Sequence, residues 1–227
     1  MENSKDKRAR VIAIVSLLVG VLGLSLGFAA FSNTLTIKSS AEVKPDESIF
    51  NVDFSTSSST VDDSDIVPTL NPTGVSGFTA TNAEIDNDNG DAVVKNLHAV
   101  FTAPGQEVTY SFYTKNAGEL KAYLKSVTFS NVAGESSIKK CTPKTGTTAS
   151  LVTSACTGIT LTVTVGSESF TETTLRNAFA TATAHDLNTS GSEPVTVRIA
   201  YETGSTVTDG GFDVAFGDVT LLYSSVA

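Results

Sequence analysis

The stretches ITLTVTV (159–165) and VTVRIAY (195–201) decide how this chain folds. Ile159, Leu161, Val163 and Val165 alternate with Thr160, Thr162 and Thr164. Val195, Val197, Ile199 and Tyr201 alternate with Thr196, Arg198 and Ala200. Successive side chains of a strand point to opposite faces, so a period of two with one polar face predicts an antiparallel sheet buried on one side. Val108, Tyr110 and Phe112 repeat the pattern against Thr109, Ser111 and Tyr113. Near the end, Phe212, Val214 and Phe216, then Val219, Leu221 and Tyr223, take inward positions.

Upstream, Phe50, Val52 and Phe54 oppose Asn51, Asp53 and Ser55, and Phe78–Ile85 and Leu97, Ala99 and Phe101 extend the strand-like signal. Ala103-Pro104-Gly105-Gln106 reads as a turn, with proline presetting one φ and glycine supplying the positive one. The polar, proline-punctuated stretch 55–74 reads as a long loop or linker. One segment departs from the two-residue period. Leu175, Ala178, Phe179 and Ala182 recur at helical spacing, which predicts a short helix within 173–187. Many short strands separated by Gly/Pro turns predict an all-β antiparallel sandwich, Ig-like or jelly roll, over residues 33–227.

Composition agrees. The 227 residues hold 32 Thr and 27 Ser, no Trp and a single Met, with 40% apolar and 17% charged side chains. Such usage favours strands over helices. The formal charge is −9. Residues 33–227 alone carry 11 basic and 22 acidic side chains, because the first 32 hold four and two. A body this acidic repels phosphate backbones, so no nucleic-acid partner is expected.

Residues 1–32 point across a membrane. Lys5, Lys7, Arg8 and Arg10 precede Val11–Phe31, a run of 21 residues without a charge. As a helix it would reach roughly 31 Å, about one hydrocarbon core. Positive charge ahead of it keeps the N-terminus inside and sends the remainder out. Small residues one and three places before a cut, at Gly27/Ala29 and Ala30/Ser32, fit a cleaved signal peptide. The length of the run fits a retained anchor, in which case residues 11–31 are the membrane contact.

Cys141 and Cys156 are the two cysteines of the chain, with fourteen residues between them in the part expected to be exported. An isolated even pair in an oxidising compartment predicts a disulfide. The acidic run 86–91 looks like a calcium loop but fails its pattern: glycine falls fifth and position twelve is Leu97. Asn89-Gly90 between alternating runs reads instead as a hairpin turn. His98 and His185 stand far apart and outside any H-E-x-x-H, and His98 shares its parity with outward positions. No G-x-S-x-G, phosphate-binding or dinucleotide-binding glycine motif occurs. Neither catalysis, a metal nor a cofactor is expected. Tyr113 and Tyr123 are the candidate outward aromatics for a carbohydrate platform.

Three segments carry a resemblance. GFAAFSNTLTI (27–37) resembles the signal-to-first-strand junction of exported Gram-positive proteins of the TasA/camelysin group. TAPGQEVTYSFYTKNAGELKAYLKSV (102–127) is similar to their strand–Lys-Asn-x-Gly–strand module, and FDVAFGDVTLLYSS (212–225) to the closing strands of small exported Ig-like proteins. The resemblance covers about a quarter of the chain. It implies an extracellular sandwich or jelly roll with a role in biofilm matrix or surface fibres. The cysteine pair and the 55–74 stretch depart from that pattern, and the metalloprotease activity attached to camelysin-type proteins is not carried over without a zinc-binding His pair. The end YSSVA lacks a sortase-type Leu-Pro-x-Thr-Gly.

The expected role is therefore an exported structural or interaction protein of the cell surface or matrix, in which Asn33–Val43 either pairs within its own chain and closes a sheet edge or adds to a neighbouring copy and builds fibres. The alternative is a surface module, an adhesin, for polysaccharide or protein.

Overall fold

Alternation along the chain becomes fifteen strands and one helix among the residues described by the computed structural model, 49–87, 92–172 and 185–225. The strands are β1 (Val52–Ser55), β2 (Thr69–Asn71), β3 (Thr79–Ala80), β4 (Glu84–Asp86), β5 (Val93–Lys95), β6 (His98–Phe101), β7 (Glu107–Asn116) and β8 (Ala122–Phe129). They continue as β9 (Lys139–Pro143), β10 (Ile159–Val165), β11 (Glu168–Thr171), β12 (Asp186–Leu187), β13 (Ser192–Tyr201), β14 (Phe212–Phe216) and β15 (Val219–Ser224). Helix α1 (Ala149–Cys156) sits between β9 and β10. The strands belong to one compact unit, Lys44–Ala227.

Every named strand pair is antiparallel, and the sheets pack as a sandwich. The first layer runs β1-β7-β13-β10-β11, with β2 sharing the β1 side of β7. Its register puts Val163 between Phe170 and Val197, and Val197 beside Tyr110. All four are buried, so the apolar parity of each strand falls on one face, as the alternation requires.

The second layer consists of two sheets, β12-β8-β15-β5-β4 and β9-β14-β6-β3. Their orders match, because four strand lines pass from one to the other: β8 into β9, β15 from β14, β5 into β6, and β4 from β3. The layer is one bent sheet broken along a seam. Asn96 crosses it with φ +61°, and Gly217 crosses it where any Cβ would collide with the Ser130 carbonyl oxygen. A side chain at 217 is excluded by backbone, which has no rotamer to give way.

Aromatic rings join the layers. Phe101 of the bent layer lies 5.6 Å from Phe78, 6.3 Å from Phe212 and 6.0 Å, edge-on, from Tyr201 of the first layer. Tyr110 crosses from the first layer to donate its hydroxyl to the carbonyls of Thr81 and His98 at 3.0 and 3.2 Å. Burial pushes its phenol up to about 12.

Three expectations change. The 55–74 stretch is not a free linker: Ile66 is buried and bridges Ala83, and Thr69–Asn71 pair with β7. One apolar side chain in a polar segment suffices to fix it to the core. The described helix is α1, inside the loop that the cysteine pair closes, not the 173–187 segment. Val152 and Ala155 bury one stripe, and the end of the 173–187 candidate, Asp186–Leu187, is a strand on β8. Positions 173–184 of that candidate lie outside the described residues. Strand β1 is buried on both faces, Asp53 and Ser55 included, because Asn51 and the 55–62 turn bond them.

The export segment 11–31, the Asn33–Val43 strand and the Asn89-Gly90 turn also lie outside the described residues. Among those that are described, no helix is long and apolar enough to cross a membrane.

Candidate functional site

Among the described residues the two histidines do not converge. His98 in β6 and His185 just before β12 belong to different sheets. His98 is half-exposed, its Nε2 3.2 Å from Asp213 Oδ1, close to the surface position expected from its parity. His185 is buried between two carboxylates, Nδ1 3.0 Å from Glu193 Oε1 and Nε2 3.0 Å from Glu168 Oε2. Both ring nitrogens thus lie at hydrogen-bond distance from a carboxylate oxygen. The imidazole works as a tie between β11, β13 and the start of β12. Spacings of 17 and 8 residues gave the sequence no signal of this cluster. Among the described residues no group of three His, Cys, Asp or Glu is placed to hold a metal ion.

Asp86 and Asn87, the described part of the acidic run, serve the fold. Asp86 pairs with Lys95 across the antiparallel β4–β5 pair. The side-chain amide of Asn87 docks on the outer edge of β1. Phe54 N–H donates to Asn87 Oδ1 at 2.8 Å, and Asn87 Nδ2 donates to Phe54 O at 2.9 Å and to Asp63 at 2.7 Å. One side chain thus stands in for a neighbouring strand and seals an edge that could template association. Replacing Asn87 by alanine leaves both Phe54 groups unpaired and is expected to cost about 1–3 kcal/mol. Chemical denaturation checks the stability, and light scattering of the same sample should show more self-association than the parent. Unchanged values for both would show that the plug has no function.

The disulfide is formed. Cys141 on β9 and Cys156 at the end of α1 are bonded, with Cα atoms 6.0 Å apart. Asp209 holds the other end of the helix, accepting from the Thr148 backbone N–H at 2.9 Å and from its hydroxyl. Those bonds keep the Asp209 carboxyl below its ordinary range. The helix is therefore held at one end by the β13–β14 connection and at the other by β9.

Tyr113 and Tyr123 do not make a platform. Tyr113 is in β7 of the first layer and Tyr123 in β8 of the second, and the Lys121 and Lys125 ammoniums sit 5.6 and 5.9 Å from the Tyr123 ring centre. The outward face of the first layer is a ladder of hydroxyls instead. Thr109, Arg198, Thr162 and Thr171 make one cross-strand row, and Ser111, Thr196, Thr164 and Ser169 the next.

The chain enters the domain against the β7–β8 turn. Ile49 O accepts from the N–H groups of Glu119 and Leu120, and Asn51 O from those of Ala117 and Gly118. A Cβ at Gly118 would lie 2.6 Å from Asn51 N, so glycine permits this approach. Sequence reading placed this turn in a family-like module but could not see what it grips. No family model, curated protein or solved structure matches the chain.

Proposed function

We propose that this chain is an exported structural or interaction protein of the cell surface or extracellular matrix, working through its surfaces rather than by catalysis. The observation that carries the reading is the Cys141–Cys156 bond in a domain preceded by four basic residues and a 21-residue uncharged run. Disulfides persist outside the reducing cytosol, and the basic-then-apolar order is that of an export signal. The acidic surface supports solubility there.

Assembly enters through Asn33–Val43, where Leu35 and Ile37 form an apolar parity that needs burial. Paired with a neighbouring copy, such a strand gives head-to-tail addition, the mode that the TasA-like resemblance also implies. The test is expression in a Gram-positive host, with N-terminal sequencing and electron microscopy of the product. External protease should reach residues 44–227, and concentrated mature protein should form fibres that a 33–43 deletion does not. A cytosolic chain with free thiols overturns export. Equal polymerisation by the deletion variant overturns the assembly role.

A further inference from the structure

A groove of about 640 Å³ lies along the seam of the bent layer. That volume falls within the range of about 300–1,000 Å³ usual for small-molecule sites. The Asn96–Leu97 crossing, the Gly217–Asp218 crossing and the start of the β8–β9 connection all line it. The walls are preset. Tyr110 holds the Thr81 and His98 carbonyls from beneath, Ser130 N–H donates to Asp218 O at 2.9 Å, and Asp218 N–H donates to Ser130 Oγ at 2.8 Å.

Three polar side chains on this rim, Asn82, Asn131 and Asp218, have no hydrogen-bond partner among the described residues. Two primary amides and a carboxylate supply both donors and acceptors to one groove, the polar groups that sugar hydroxyls require. Leu97, Ala215 and Phe216 provide apolar surface for the C–H face of a ring. No Lys or Arg is among the lining residues, Lys95 already interacts electrostatically with the Asp218 carboxylate, and the chain carries −9, which disfavours a phosphate or uronate polymer.

We propose that this seam groove binds a neutral oligosaccharide, with Asn82, Asn131 and Asp218 as its hydroxyl-recognising residues. The site goes beyond the proposed surface role and depends neither on export nor on polymerisation.

The experiment titrates the full chain, held in a sugar-free zwitterionic detergent, with cellohexaose, chitohexaose and polygalacturonate. Isothermal calorimetry reads the binding. One of the two neutral probes should bind at millimolar concentration or better, and polygalacturonate should bind more weakly. Removing both amides, Asn82→Ala with Asn131→Ala, should weaken the bound probe about tenfold or more, since two hydrogen bonds are lost. Both positions are exposed, so the melting temperature should hold. If it does not, Asp218→Asn makes the same test by converting an acceptor into a mixed group. Thr162→Ala, on the other layer, should bind like the parent. Absence of binding by both neutral probes, equal binding by the rim variants, or preference for polygalacturonate overturns the proposal.

Discussion

Phe101→Ala is expected to remove about 3–5 kcal/mol of stability, the usual cost of deleting a buried phenyl ring. Domains have about 5–15 kcal/mol in total, so the variant should stand close to unfolding. The ring has no solvent contact and touches Phe78, Phe212 and Tyr201 at once. Tyr201 belongs to the first layer and the other two to the opposing side, so the cavity would open where the layers meet. The surroundings cannot collapse into it readily, because Phe212 is held in register against both Phe101 and Pro143. Urea unfolding of parent, Phe101→Leu and Phe101→Ala should give midpoints falling in that order. A Phe101→Ala midpoint equal to that of the parent would show that this cluster does not join the layers.

Removing the disulfide is the second large effect. A bridge closing a loop of about 15 residues contributes about 3 kcal/mol in the chain-entropy model. For a unit of this size that corresponds to a melting temperature lower by about 6–12 °C. Reduction, or Cys141→Ser with Cys156→Ser, should produce it without abolishing the fold. The reason is structural: the long β7–β13–β10 ladder lies in the layer that contains neither cysteine. Loss should concentrate in α1, whose buried stripe is only Val152 and Ala155, and hydrogen exchange there should rise first. An unchanged melting temperature on full reduction would count against any stabilising role for the bridge.

The plugged β1 edge bears on assembly. A sandwich that polymerises by strand addition must guard its other edges, and Asn87 guards one with a side chain rather than a strand. Association of an Asn87→Ala variant through β1 would then be disordered, distinguishable by microscopy from fibres that require residues 33–43.

Much of this was written in the sequence because it depends on neighbours along the chain. Alternation fixes which face of a strand is buried, so Val108, Tyr110, Phe112, Leu161, Val163, Val197, Ile199, Val214 and Leu221 could be assigned inward without any knowledge of their partners. A lone cysteine pair has one possible intramolecular bond, so Cys141–Cys156 followed by elimination and compartment. What depends on distant neighbours could not be read. Helix α1 forms where a short run of mostly small residues gives weak local preference, because a bridge and Asp209 fix both ends. Ile66 is buried because its bridge partner Ala83 comes from a segment further along the chain. The His185–Glu168–Glu193 tie, the Asn87 plug and the seam groove each draw residues from separate strands and connections, and pairing between strands is long-range information that local periodicity does not hold.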